Sequence, residues 1–149
     1  MTNLFNRNDG TFAQVDMASL SPGLTSVTKA TTADITLSTT SYIDGPSVTQ
    51  GSSGTWYVSG SVTLGSTGGG SSRFFVRLWD GTTTIAAGAS SFLGASSAAA
   101  ISVSLSGIMA SPAGNLRISV ANNSDPVSKI LFNNSGFSLD SSVVAVRIA

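Results

Sequence analysis

The chain has 149 residues, a formal net charge of zero, no Cys and no His, and its seven acidic residues are all Asp. That inventory excludes a Ser-His-Asp or Cys-His active site and the common Cys/His zinc sites, and it withholds the usual general base near neutral pH. The Asp residues stand at positions 9, 16, 34, 44, 80, 125 and 140, seven residues apart or more, so an acid/base pair would have to be assembled across the fold. The expectation is a non-enzyme with no catalytic residue, no cofactor and no metal.

The length is that of one domain. Residues 1–24 read as an arm: polar, aperiodic, with isolated Leu4, Phe5, Phe12, Val15 and Leu20, and closed by the turn signal Ser21-Pro22-Gly23. Its first residues, Met1 to Arg7, hold one positive charge and no apolar run, so they are no signal peptide. Leu4, Phe5 and Phe12 are candidates for docking on a neighbouring subunit; the plainer reading is a disordered terminus.

Residues 25–149 are expected to form the folded domain, and their signal has a period of two. Val27 and Lys29 alternate with Thr28 and Ala30, and Ile35 and Leu37 with Thr36 and Ser38. Between Thr55 and Leu64, residues Trp56, Val58, Val62 and Leu64 share one face. Over Arg73–Trp79 the inward set is Phe74, Val76 and Leu78, and the outward set is Arg73, Phe75, Arg77 and Trp79. Asp80-Gly81 then signals a hairpin into Thr82–Ala86. Further strands are expected at Ala100–Leu105, Leu116–Val120, Lys129–Phe132 and Ser142–Ile148, the last with Val144, Val146 and Ile148 on one side and Val143 and Arg147 on the other.

Eight or nine short strands separated by Gly, Ser, Asn and Pro clusters indicate a sandwich or barrel. An antiparallel β-sandwich of the jelly-roll type, with about eight strands, leads; an immunoglobulin-like sandwich is second. No sustained repeat supports a β-helix. The Ala-rich residues 86–100 leave room for a short helix. Residues 92–110 are long enough to span a bilayer, but Ser102, Ser104 and Ser106 alternate with Ile101, Val103 and Leu105, which describes a half-buried strand.

Only 9% of the residues are charged, against about 25% in ordinary domains, and none lies between Asp80 and Arg117. Ser and Thr, roughly three residues in ten, supply part of the missing polarity. Coverage by other subunits supplies the rest, which predicts a homo-oligomer, dimer or trimer. Without a basic excess, neither nucleic acid nor an anionic membrane is an expected partner. The absence of Cys suits synthesis in a reducing cytoplasm.

Three further stretches bear on chemistry. The outward residues Arg73, Phe75, Arg77 and Trp79 have the composition of an interface hot spot or a sugar-stacking platform, unless a second layer covers them. Gly65 to Ser72 lacks the Lys and the following helix of a phosphate loop, and reads as a hairpin loop. The Asn-x-Ser sequences at Asn122 and Asn133 read as turns.

The stretch from Ile35 to Ala86 is also familiar as a whole. Ser41-Tyr42-Ile43-Asp44-Gly45-Pro46-Ser47-Val48, Gly54-Thr55-Trp56-Tyr57-Val58-Ser59-Gly60 and Phe75-Val76-Arg77-Leu78-Trp79-Asp80-Gly81 together resemble bacteriophage virion proteins with jelly-roll domains, distantly similar to the C1q/tumour-necrosis-factor architecture. The resemblance implies self-association and a place on the virion. It carries over no site residue. It makes a capsid decoration (cement) protein, bound to the major capsid protein on the outer shell, the leading expectation, and a receptor-binding or fibre-tip domain for host glycan the alternative.

Overall fold

The computed structural model describes residues 3–6, 12–15, 25–38, 41–66, 71–92, 99–123 and 127–149; of 3–6, 12–15, 92 and 99 only the main chain is considered. Its strands are β1 (Asn3–Asn6), β2 (Phe12–Val15), β3 (Ser26–Ala30), β4 (Ile35–Thr36), β5 (Ile43–Val48), β6 (Thr55–Ser66), β7 (Ser72–Trp79), β8 (Thr84–Phe92), β9 (Ala99–Ala110), β10 (Leu116–Asn122), β11 (Ser128–Leu131) and β12 (Ser142–Arg147). The described residues contain no helix. Where a short helix had room, residues 86–92 and 99–100 are strand, with Ala86 packed against the core; residues 93–98 lie outside the described residues.

Ten strands form two antiparallel sheets packed as a sandwich. One has the order β5-β10-β7-β8. In the other, β6 pairs along its whole length with β9 on one side; on its other side, β12 covers its first half and β11 its second. β3 and β4 continue outward from β12 and β11. The last two rows are therefore strands interrupted midway, and the sandwich has eight rows built from ten strands. At the interruption Ser141 bridges: its Oγ accepts the Thr63 N–H at 3.0 Å, and its hydroxyl donates to the Leu131 carbonyl at 2.7 Å. A buried hydroxyl thus supplies the ladder bonds that the break removes.

The pairing identifies the topology. β3 and β4 pair with β12 and β11, β5 with β10, β6 with β9, and β7 with β8. These are nested antiparallel pairs, one long hairpin rolled into two layers, which is a jelly roll and not an immunoglobulin Greek key. Asp80-Gly81 forms the tip of that hairpin. Asp80 Oδ1 accepts the N–H groups of Thr82 (2.9 Å) and Thr83 (2.7 Å), and Oδ2 accepts that of Ala113 (2.8 Å). Burial would raise the Asp80 pKa, but the backbone N–H groups of Thr83, Ala113 and Thr82 together hold it below the ordinary carboxylate value. Gly81 has φ of +100°, and a Cβ there would meet the Arg117 guanidinium. The residue is thus required both by the turn and by the arginine packed on it.

The expected hairpin loop at Gly65–Ser72 is a different connection. The strands that flank it, β6 and β7, lie in opposite sheets and do not pair as a hairpin; residues 67–70 lie outside the described residues. β5, at a sheet edge, carries Gly45 and Pro46. Its register against β10 moves from Asp44↔Ser119 to Ser47↔Arg117, a bulge that accommodates the proline at an edge where its missing N–H removes no ladder bond.

The core lies between the inward faces predicted from alternation. Trp56, Val58, Val62 and Leu64 of β6, with Ile130, Val143 and Ala145, meet Phe74, Val76, Leu78, Leu116, Ile118 and Val120; all are at most 2% exposed. Gly60 is required by close approach, because a Cβ there would meet the Ser142 carbonyl and the Ile118 side chain. On β12 the buried side is that of Val143 and Ala145, while Val144 and Val146 are half-buried and Ile148 is exposed. Asn122, acceptor of one Asn-x-Ser sequence, is buried and donates to Ser128 Oγ at 2.9 Å, so it is a core amide and no glycosylation site.

Within residues 1–24, β1 and β2 pair with each other in the register Leu4↔Gln14, Phe5↔Ala13 and Asn6↔Phe12. The segment read as aperiodic thus holds a short hairpin. The side chains of Leu4, Phe5 and Phe12 lie outside the described residues.

Candidate interaction surfaces

Two surfaces of the sandwich differ sharply in chemistry. The first is the outer face of the four-stranded sheet. Alternation on β7 directs Arg73, Phe75, Arg77 and Trp79 there, as expected, and β10 adds Arg117 and Ser119 through the registers Arg117↔Trp79 and Ser119↔Arg77. β5 adds Asp44, and Tyr42 stands just before the first residue of that strand. The Arg77 guanidinium carbon lies 3.4 Å from the centre of the Trp79 ring and 3.9 Å from that of Tyr42. Arg117 approaches Trp79 at 4.9 Å, and Arg73 approaches Phe75 at 5.0 Å. Such contacts hold a cation over the negative face of a ring.

A hydrogen-bond chain fixes the stack. The Trp79 indole N–H donates to Ser119 Oγ at 2.6 Å, and the Ser119 hydroxyl donates to Asp44 Oδ1 at 2.5 Å. The other carboxylate oxygen of Asp44 stands 3.2 Å from Arg117 Nε. That contact is an ion pair by distance without the alignment of a hydrogen bond, and the enclosed Arg117 Nε has no other acceptor among the described residues. Arg77 Nε is enclosed and likewise has no acceptor among them. Neither Arg73 nor Arg77 has a carboxylate within ion-pair distance among the described residues; the two ion pairs there are Arg117–Asp44 and Lys129–Asp34. Among the described residues, this face therefore presents three guanidinium groups against one carboxylate.

Sequence reasoning left two readings of Phe75 and Trp79, exposed platform or covered layer. Neither describes them. Both are half-buried, and the cover is made by arginine side chains of the same face rather than by another sheet. Tyr42 and Arg117 went unrecognised because Tyr42 precedes β5 and Arg117 lies on β10, and only the pairing of β5, β10 and β7 brings them to Trp79.

The second surface is the side bounded by β8 and β9 together with the adjoining outer face of the six-stranded sheet. The charge-free residues 81–116 include β8 and β9, which end the strand order of their sheets and lie beside each other on one side of the sandwich. Edge strands are commonly guarded by charge; here none is present. The inward residues Ile85, Ile101, Val103, Leu105 and Met109 pack on the core yet remain half-buried. Outward, cross-strand rows run Val146–Tyr57–Ile108, Val144–Ser59–Ser106 and Ser142–Ser61–Ser104 without a charged residue. Ile108 is 61% exposed and Tyr57 42%. Thr28, Ser59, Ser61, Ser104, Ser142 and Val144 line a shallow depression in this face.

No protein-family model matches the chain, and no curated protein matches it. Among solved structures, an Eiger TNF from S. frugiperda is similar over 85% of this chain and 93% of that one, with 8% identity and a TM-score of 0.50. An infectious bursal disease virus structure (Gt strain) matches at 13% identity over 97% of this chain, TM-score 0.43, and the VP2 subviral particle of that virus at 11% over 92%, TM-score 0.41. This chain spans about two-fifths of the length of each of those two viral chains. The TNF comparison agrees with the strand pairing: the fold is the jelly roll.

Proposed function

We propose that this chain is a structural, non-enzymatic virion protein, a capsid decoration (cement) protein that associates with copies of itself and binds the major capsid protein on the outer surface of a bacteriophage head after synthesis in the host cytoplasm. The observation that carries the reading is the β8–β9 side. A long charge-free stretch forms two adjacent unguarded edges, and the apolar residues behind them stay half-exposed. A free monomer would display that side to water, whereas a second copy would bury it and remove the edges from solvent. The mechanism is mechanical: apolar area buried between subunits adds cohesion to a shell. The absence of His, Cys and Glu supports a role without chemistry. The N-terminal hairpin, with Leu4, Phe5 and Phe12, would clamp a neighbouring subunit. The phage setting rests on the sequence resemblance.

The receptor-binding alternative needs aromatic faces open to a sugar. Arg77 already lies against Trp79 and Tyr42, which favours the first reading. Quantitative densitometry of purified particles tests it. A copy number comparable with that of the major capsid protein is expected; a few tens of copies or fewer would contradict it. Deleting residues 1–20 is expected to abolish attachment and leave the sandwich folded, and full binding by the truncated protein would remove the arm from the account.

A further inference from the structure

The arginine face points to a second partner with a different chemistry. We infer that the outer face of the four-stranded sheet docks an acidic polypeptide segment, whose carboxylates pair with Arg73 and Arg77. The inference deepens the assembly reading and rests on it, since it takes this face as the one turned to a different protein while β8 and β9 meet a copy of the same chain.

Three observations carry it. Among the described residues, three guanidinium groups share one carboxylate, and that carboxylate, Asp44, is held by Arg117 and Ser119. Arg77 lies between two rings, which orients its planar fork without supplying a carboxylate among the described residues; its Nε is enclosed, so capture of a carboxylate would fall to the terminal N–H groups. A pre-oriented guanidinium suits bidentate capture of a carboxylate. Finally, the neighbours of the β7 ridge on β8 are small: Arg77 stands opposite Ala87, Phe75 opposite Ala89 and Arg73 opposite Ser91. The ridge thus borders a low shelf open to an extended chain. Arg73 and Arg77 are four residues apart on one strand face, about 13 Å along the strand. That spacing matches carboxylates four residues apart on an extended segment. A sugar is disfavoured because the rings it would stack on already hold guanidinium groups.

The test is an NMR titration of the full-length 15N-labelled protein. The probe is a nine-residue peptide with Asp at positions 3 and 7 and Ser or Thr elsewhere. The expected result is saturable perturbation of the Trp79 indole N–H and of β7 and β10 amides, weakening with added salt. The Asp→Asn peptide should bind at least tenfold more weakly, as should the Asp peptide to Arg77→Lys, which keeps the charge and loses the planar fork. Arg73→Gln, at an exposed position, should give the same direction of change even if Arg77→Lys unfolds. Absence of saturable shifts, equal binding of the Asp and Asn peptides, or indifference to Arg73→Gln would overturn the inference. So would tighter binding of sialyllactose than of the peptide at this face, which would make the ligand an acidic glycan. The titration does not depend on particles. A low copy number with intact peptide binding would remove the decoration reading alone, and the reverse pattern would remove this inference alone.

Discussion

The two surfaces are built from similar strands and have opposite chemistry. On the four-stranded sheet, the outward positions of β7 and β10 hold Arg73, Arg77, Arg117 and two aromatic rings. β8 and β9 lie within 36 consecutive residues, 81–116, that hold no charge at all. In a chain with seven cations and seven anions, placing three cations on one face and none along two whole edges is a partition of roles. Guanidinium groups set on a surface suit a face that meets partners reversibly or by pairing. An uncharged, Ser-rich and partly apolar side can be buried without stripping water from ions, whose desolvation costs several kcal/mol each.

The contrast can be broken by substitution, starting where the effect is largest. Phe74 and Phe75 are adjacent on β7, one fully buried and one half-exposed under Arg73. Phe74→Ala should lower stability by about 3–5 kcal/mol in urea denaturation, and Phe75→Ala by about 1 kcal/mol. Equal losses would mean that the outer face is packed like a core.

Asp80→Asn should follow, at about 2–3 kcal/mol, because an amide cannot accept all three N–H groups with the same strength. The folded pKa of Asp80 is depressed. Its contribution is therefore fully present above the unfolded value near 3.9 and is lost as pH falls through the folded value. The gap between wild type and Asp80→Asn should accordingly close on acidification below about pH 4; a gap that persists would assign the loss to packing.

Arg77→Lys should cost about 0.5–1 kcal/mol in the same assay, the value of its ring contacts. Trp79 fluorescence should change as the stacked plane is replaced by a flexible ammonium. An unchanged emission spectrum would mean that Arg77 does not hold the ring.

Much of this architecture is legible in the sequence, for local reasons. Alternation over Thr55–Leu64 and Arg73–Trp79 gives the inward and outward sets directly, and Asp80-Gly81 marks the tip of the roll. Other features depend on what lies opposite. Gly65–Ser72 has the composition of a hairpin loop, yet the strands on either side of it join different sheets, and composition does not encode which sheet a strand joins. β5 is obscured by Gly45 and Pro46, which break the alternation and are tolerated because the strand is an edge with a bulge. The Val144–Val146 side of β12 is more apolar than a solvent face requires, but only the pairing with Tyr57 and Ile108 shows it to be part of an uncharged outer patch. The arginine stack was half legible: Arg77 and Trp79 are strand neighbours, whereas Tyr42 and Arg117 arrive from elsewhere in the chain.

The central claim is that the uncharged side is buried between copies of this chain. Sedimentation velocity of the wild type and of Ile108→Lys at micromolar concentration tests it most directly, with urea denaturation as the control for folding. Ile108 is largely solvent-exposed, so the lysine should change monomer stability by no more than about 0.5 kcal/mol. The account predicts a wild-type dimer or trimer and a variant shifted to monomer, with association weakened at least about tenfold, the equivalent of 1.4 kcal/mol. A monomeric wild type, or a variant that associates as the wild type does, would contradict it.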